Sequence, residues 1–394
     1  MLNYRLEGLS IQNSNPQKPI EDAYVVTSVG KDQEVIAVLD GATGRYGLSG
    51  KIASETFQQE LETMQEKDTL LEVLERANQK LASKAIAKFE ELIAQKALPA
   101  DFIEQYRSIQ ETDPQEIITK IDPAYSTSTA GVIIKIDRRK DEMELVQTGD
   151  CMAIAKMEDG QIQPLTKDHV AKSDLFSYHA QQIARDQLMK EQNIKNLSNL
   201  STEEYQAFQS EVQKRMELTL KTGRRNANHT GSSPISGGAV LLSNEHDQGS
   251  SYAYPIFNGV PIDLTLHHQT IPLKNINELL LLSDGLVVPQ PRIGADGWQL
   301  AGELVFNEEG KGLNSLLEIV QLIETIDPRM EYFKDRVKPD DDKTAIHLCF
   351  ERSRSQHPLQ TKLQQRAEAD RPTLEVQLIS DRDHADVTFS YQTR

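Results

Sequence analysis

Hydrophobic and polar positions change their period along this chain, and each change marks an element. Val25 and Val26, then Val35, Ile36, Val38 and Leu39, form short apolar runs separated by the turn signal Gly30-Lys31-Asp32, so the first fifty residues read as β. The period then lengthens. Ala53, Phe57, Leu61 and Met64, and after them Leu70, Leu74, Ala77, Leu81, Ala85 and Phe89, recur at helical spacing. This predicts two long amphipathic helices, roughly 49–65 and 68–95, each packing one face on a sheet. Residues 96–124 read as irregular or partly helical, broken by Pro99, Pro114 and Pro123. Strand signals return at 129–136 and 143–156, joined by a hairpin connection over Arg138–Glu142, and a short strand from Ile162 to Leu165 follows the Asp159-Gly160 turn.

The segment 170–222 changes character: it is rich in Gln, Lys, Glu, Asn and Leu, with helical spacing of Phe176, Ile183 and Leu188 and then of Tyr205, Phe208, Val212 and Met216. It reads as an inserted helical hairpin broken near Asn196–Ser201. Residues 223–258 are Gly-, Ser- and Asn-rich and read as a loop. Leu264 to Ile271, Leu279 to Leu282 and Ala345 to Phe350 read as strands, and Leu313 to Ile326 as a helix. Residues 1–350 form one expected domain carrying the insert. Residues 351–394 form an extension: a polar linker, then alternation at Leu374, Val376, Leu378 and Val387, Phe389, Tyr391 that suggests a β-hairpin. Strand runs, helices and further strands without a βαβα alternation predict an α+β fold.

Composition narrows the function classes. Net charge is −17 over 394 residues, so nucleic acid and anionic membrane surfaces are poor partners. Mean hydropathy is −0.52, polar but within reach of a globular core. No apolar run approaches the roughly 18 residues of a membrane span. The start MLNYRLEGLSIQ lacks a basic stretch followed by an apolar one. A cytoplasmic location is expected, and the lack of a classical signal is also compatible with delivery into a host cell by a non-classical route. The cysteines, Cys151 and Cys349, sit in apolar runs and read as core residues in a reducing compartment.

Short acidic motifs stand at the ends of the strand-like runs: Glu21-Asp22 in PIEDAYVV, Asp40-Gly41 in VIAVLDGATG, Asp284-Gly285 in LLLLSDGLVV and Asp341-Asp342 in DDDKTAIHL. Taken singly, each is a turn. If the strands bring them together, they form a set of hard oxygen ligands suited to Mg²⁺ or Mn²⁺ rather than zinc. Glycine after the aspartate permits a sharp turn that aims carboxylate and carbonyl at one place. Two such ions about 3.5–4 Å apart polarise a phosphoryl group and lower the pKa of a bridging water, which equips a site for direct hydrolysis of a phosphate ester.

In this order the motifs resemble those of the metal-dependent type-2C Ser/Thr protein phosphatases. PIEDAYVV resembles the family's ED motif, VIAVLDGATG its DGxxG, STSTAGVII its Ser-Thr-Ala strand start and LVQTGDCMAIA its Gly-Asp strand. LTKDHV resembles its LTxDH turn, LLLLSDGL its SDGL and DDKTAIHL its closing DDxT strand. The resemblance implies two antiparallel sheets packed face to face and flanked by antiparallel helix pairs. It implies a phosphoprotein phosphatase acting on phosphoserine or phosphothreonine with two Mn²⁺ or Mg²⁺ ions. Asp40 would bridge both ions, the Gly41 carbonyl would bind one, and Asp284 and Asp341 the other. Glu21 and Asp22 would hold metal-bound waters, so Glu21, Asp22 and Asp40 are the expected catalytic set. Asp150 resembles a ligand of a third, looser metal.

The chain departs from the family pattern at several positions. Gln17 stands where many members have a phosphate-gripping arginine, which leaves Lys18 or Arg45 as expected phosphate binders. Ala42 replaces the histidine of eukaryotic members, a bacterial-type feature. Val288 replaces an acid four residues after Asp284. These departures keep open a non-catalytic interaction protein on the same scaffold and, less favoured, a small-molecule phosphatase. His169 reads as a structural turn histidine and His267-His268 as surface or strand packing. The insert 170–222 lies where the family carries its flap and is expected to gate the site or recognise a substrate or partner.

Overall fold

The computed structural model describes residues 3–44, 48–121, 125–228, 254–292, 296–307, 312–333, 335–336, 338–351, 373–381 and 384–392, with backbone alone for Phe176, 217–228, 373–381 and 384–392. Strands β1 (Asn3–Ile11), β2 (Ala23–Val29) and β3 (Gln33–Ala42) come first, then helices α1 (Gly50–Glu62), α2 (Leu70–Ala94), α3 (Ala100–Ser108) and α4 (Pro114–Lys120). Strands β4 (Ser128–Asp137), β5 (Glu142–Thr148), β6 (Met152–Met157) and β7 (Ile162–Pro164) follow, then helices α5 (Ala171–Glu191) and α6 (Thr202–Asn228). The chain continues through β8 (His268–Pro272), β9 (Ile276–Leu282), α7 (Gly297–Asn307), α8 (Leu313–Ile326) and β10 (Lys343–Glu351). It ends with β11 (Thr373–Asp381) and β12 (His384–Gln392), which pair antiparallel with each other.

Two five-stranded sheets carry the fold, ordered β2-β3-β4-β5-β8 and β1-β10-β9-β6-β7, with every pairing antiparallel. This is the expected α+β architecture of packed antiparallel sheets with flanking helices. Side-chain parity explains the layers, because successive strand residues point to opposite faces. In β3, Ile36 and Val38 join Val132, Ile134, Leu279, Leu281, Ile346 and Leu348 in a core between the sheets. The intervening Val35, Ala37 and Leu39 pack with Phe57, Leu61 and Leu74 of α1 and α2 on the outer face of the first sheet. On the second sheet, Ile154, Leu280 and Leu282 pack outward against Ala301, Leu304, Leu316 and Val320 of α7 and α8.

The helices start where their sequences stop competing. Ser49 caps α1 by accepting from the Lys51 amide, and Thr69 opens α2 with a capping box closed by Glu72. The run 143–156, which reads as one strand signal, splits into β5 and β6 in different sheets. Gly149, at φ 66°, makes the turn and Asp150 sits in the crossover. Leu264–His267 is a 3₁₀ turn rather than strand, with the Asp263 carboxylate accepting from the Thr265 amide; only His268 onward pairs with β5. Residues 96–124 hold α3 and α4, whose Phe102 and Ile118 pack with Phe89 of α2. Of the linker expected at 351–372, Glu351 closes β10 and the rest lies outside the described residues; of the loop expected at 223–258, residues 223–228 instead continue α6 and 229–253 lie outside the described residues.

Helices α5 and α6 pack on each other through Ala184, Leu188, Phe208 and Val212. Arginines tie them to the body: the Arg185 guanidinium donates to the carbonyls of Met330 (2.8 Å) and Arg329 (3.0 Å), and Arg329 in turn donates to the Leu200 carbonyl (2.9 Å).

Phe57 is fully buried with its ring centroid 4.2 Å from that of Phe257, at the seam of α1 and the first sheet. Phe57→Ala is expected to cost about 3–5 kcal/mol in urea unfolding, the range for an uncollapsed aromatic cavity. A loss below about 1 kcal/mol would show that this helix is not seated as described.

Candidate metal centre

The parity that builds the inter-sheet core also aims the acids. Asp40 continues the inward series Ile36, Val38 at the end of β3, so its carboxylate enters the gap where the apolar core stops. Asp22 immediately precedes β2, whose Ala23 pairs with Leu39, so the register carries Asp22 toward Asp40. From the second sheet, Asp284 follows β9 in a 3₁₀ turn, and Asp341 precedes β10, which pairs with β9. Asp284 faces Asp40 across the gap, and Asp22, Asp284 and Asp150 all act electrostatically on Asp40.

Glycine makes these junctions possible. A Cβ on Gly41 would stand 2.4 Å from the Glu21 carbonyl oxygen, and one on Gly285 would stand 1.8 Å from that of Asp342. Each aspartate–glycine motif therefore touches the backbone of a neighbouring acidic motif, and any side chain there would drive the motifs apart.

The two acidic pairs divide their labour. Asp342 is spent on structure: Oδ1 accepts from the backbone and side-chain nitrogens of Asn13 (both 2.8 Å), and Oδ2 accepts from the Glu21 amide at 2.7 Å. Its neighbour Asp341 lines the cavity over the centre and pairs with Lys338. Glu21 is likewise engaged elsewhere. Its Oε1 accepts from the Thr43 hydroxyl, from Ser49 Oγ at 2.5 Å and from the Gly50 amide at 2.9 Å, bracing the start of α1 against the end of β3. All three contacts fall on Oε1. Asp22 keeps the central position: Ser283 Oγ donates to its Oδ2 at 2.9 Å, and Ser283 also receives the Thr344 amide at 3.1 Å.

Burial among like charges leaves Asp22 and Asp40 reluctant to ionise. Desolvation, with Asp284 and Asp342 adding repulsion, raises the Asp22 pKa to about 7 against the lowering effect of Ser283 and Thr344. Desolvation and then Asp22, Asp284 and Asp150 push Asp40 well above the usual carboxylate range. Asp284 Oδ1 is buried without a hydrogen-bond partner. Orphaned, crowded, all-oxygen donors fit a divalent cation of the Mg²⁺ or Mn²⁺ kind, which takes few protein ligands and keeps its waters.

Asp150 lies with a second acidic group that sequence reasoning missed. Desolvation and repulsion by Asp284, Asp174 and Asp168 raise its pKa, and Asp174 itself is pushed to about 7 by burial, Asp284 and Asp168. Asp174 belongs to α5, so the helical insert supplies a carboxylate near Asp284 where Val288, fully buried in the α7–α8 core, supplies none. Asp168 is fixed by Trp298 Nε1 at 3.1 Å and by the Val170 and Ala171 amides at the start of α5. Nothing in the sequence ties Asp174 to Asp284 without the path of α5. His169 beside them is a turn residue: its amide donates to the Gly149 carbonyl, its ring meets that of His267 edge-on, and burial lowers its pKa to about 4.

Of the expected phosphate binders, only Lys18 falls among the described residues. Lys18 is exposed in the β1–β2 loop, where its carbonyl accepts from the Gln12 side chain, and Arg45 lies outside the described residues. Among the described residues, the cation that meets these acids is Lys338, at the rim of the centre. Its ammonium pairs with Asp341, and although burial opposes its charge, Asp284, Asp40, Asp150 and Asp22 raise its pKa. Beside it opens a cavity of about 660 Å³, walled by Asp284 and Asp341 at one end and by Trp298, Val287 and the α5 residues Leu175 and Tyr178.

A family model described as Protein phosphatase 2C matches residues 12–309 of the chain. A search of curated proteins finds no match. Solved structures similar to it include a bacterial serine phosphatase, 15% identical with a TM-score of 0.44 over 89% of this chain and 98% of that one. The serine/threonine phosphatase Stp1 from Staphylococcus aureus is 14% identical, with a TM-score of 0.44 over 89% and 96%. The catalytic domain of the serine threonine protein phosphatase PstP, solved with two manganese ions, is 14% identical, with a TM-score of 0.42 over 89% and 99%.

The raised carboxyls make the metal-free chain sensitive to alkali. An aspartate whose pKa climbs from 3.8 to about 7 on folding holds its proton longer in the folded state. Its contribution is therefore present at low pH and lost as pH rises through about 7. In EDTA the melting temperature should fall between roughly pH 5 and pH 8. Excess Mn²⁺ should reverse most of that fall at the alkaline end, and a melting temperature that rises over this window in EDTA would contradict the assignment.

Proposed function

Because the chain belongs to the Protein phosphatase 2C family, we propose that it is a divalent-metal-dependent phosphatase acting on phosphoserine and phosphothreonine in proteins. The observation that carries this reading is the meeting of Asp22, Asp40 and Asp284 between the two sheets, crowded enough to raise the pKa values of Asp22 and Asp40 and opening onto a cavity. Asp40 would be shared between two ions, with the Gly41 carbonyl, Asp284 and Asp341 completing the protein ligands. Bound there, Mn²⁺ or Mg²⁺ supplies Lewis acidity toward a phosphoryl group and lowers the pKa of coordinated water. Asp150 and Asp174, beside Asp284, are the groups for a weaker third cation.

The chain's own residues do the rest. Ser283 holds Asp22 in place, and Asp342 and Glu21 tie the motif backbones together. Lys338 takes the part that the absent arginine leaves open. As a point charge at the rim it pairs with Asp341 in the metal-free chain and is placed to release it and meet a substrate phosphate when cations neutralise the acids. The cavity beyond, with Trp298, Val287 and Leu175 in its wall, suits an apolar side chain flanking the phosphorylated residue, and α5 makes the insert part of that selection.

One observation favours the competing reading of a non-catalytic scaffold: the Lys338 ammonium already offers the acids an internal counter-charge. Activity decides between them. Hydrolysis of a phosphothreonine peptide should require Mn²⁺ or Mg²⁺, vanish in EDTA and fall at least ~100-fold in Asp284→Asn. Lys338→Ala should raise KM about tenfold with a smaller change in kcat, the pattern of a lost ground-state contact. Absence of turnover in folded protein with any metal, together with a Lys338→Ala variant that melts lower than wild type, would establish the scaffold instead.

A further inference from the structure

Far from the acidic centre along the same strands lies a second group of ligating side chains. His347 and Cys349 are two residues apart on β10 and so share a face, and Glu278 of β9 stands directly opposite Cys349 in the antiparallel register. Among the described residues, these are the three metal-ligating side chains whose donor atoms all lie within 4.8 Å of one another. The separations are 2.9 Å from His347 Nε2 to Glu278 Oε2, 3.5 Å from Nε2 to Cys349 Sγ and 3.7 Å from Sγ to Oε2.

Those separations have a chemical meaning. A tetrahedral zinc ion, with bonds of about 2.3 Å to sulfur and about 2.0 Å to nitrogen and oxygen, spaces its ligand atoms about 3.3–3.5 Å apart. The triad is already near that spacing, with one edge to open by a few tenths of an ångström. We propose that Glu278, His347 and Cys349 form a binding site for one zinc-like divalent cation, distinct in ligand chemistry from the all-oxygen centre. A thiolate and a carboxylate balance the ion's charge, imidazole is its preferred neutral ligand, and the fourth position is left to water.

The surroundings support the assignment. Cys349 and Glu278 are half-buried, which gives an ion a way in, while His347 is buried against the Phe306 ring. Lys156 donates to Glu278 Oε1 at 2.9 Å and to the Phe306 carbonyl at 2.8 Å, which fixes the carboxylate and leaves Oε2 turned to the triad. Cys151, the other thiol, is buried in the inter-sheet core and takes no part. The consequence lies at the other ends of the strands. β9 leads into Asp284 and β10 follows Asp341, so an ion tying Glu278 to His347 and Cys349 staples the strand pair that positions two ligands of the acidic centre.

Cobalt titration separates the two kinds of site. The probe is Co²⁺ added to purified full-length protein in excess Mn²⁺, which occupies oxygen ligands and competes poorly for thiolate and imidazole. One equivalent should give a near-ultraviolet thiolate-to-cobalt band and intense tetrahedral visible bands, both displaced by one equivalent of Zn²⁺. Cys349→Ser, nearly isosteric and outside the acidic centre, should lose the thiolate band while keeping Mn²⁺-dependent activity. Wild-type protein without a thiolate band, or a band retained undiminished in Cys349→Ser, would overturn the proposal whatever the outcome for the phosphatase reading.

Discussion

Asp22, Asp40 and Asp284 repel one another across the gap between the two sheets, and burial magnifies the repulsion by removing the water that would screen it. A fold spontaneously avoids such an arrangement, so everything around it must hold it. The inter-sheet core holds the strands, parity along β3 leaves Asp40 no other direction, and the backbone contacts at Gly41 and Gly285 lock neighbouring motifs together. Asp342 is the tie between sheets: one carboxylate gathers Asn13, after β1, and Glu21, before β2. The stress is relieved in part by retained protons and by Lys338, and a pair of divalent cations would relieve it more fully.

The insert changes what this centre can reach. α5 and α6 stand on their own small core and meet the body through Arg185 and Arg329, yet α5 also places Asp174 near Asp284 and Tyr178 in the cavity wall. One helix thus contributes both charge beside the acidic centre and a surface above it. A change in the seating of α5 would alter the charge beside the acidic centre and the shape of the cavity together.

Much of this was legible in the sequence because it depends on local rules. The helices at Gly50–Glu62 and Leu70–Ala94 follow from 3.6-residue spacing and lie within a few residues of the expected ranges. The α+β class followed from the order of strand and helix runs, and acids at strand ends flagged the centre. What was not legible depends on the third dimension. The run 143–156 has one continuous apolar pattern, and nothing in it says that β5 and β6 enter different sheets. Lys338 sits in a polar stretch where a lysine signifies only solvent until the chain is folded, and Asp174 looks like any acid in the first turn of a helix. Glu21 has a use that the motif did not reveal: its Oε1 accepts from Thr43, Ser49 and Gly50 and seats a helix.

The central claim is that the chain stores like charge for cations to neutralise, and Asp40→Asn tests it most directly when its melting temperature is compared with wild type, each with and without Mn²⁺ near pH 8. Removing one charge should make the metal-free variant more stable than wild type, while the stabilisation that wild type gains from Mn²⁺ should largely disappear. A metal-free variant less stable than wild type, with an undiminished response to Mn²⁺, would mean that Asp40 is a structural turn residue and that the acidic centre is not a metal site.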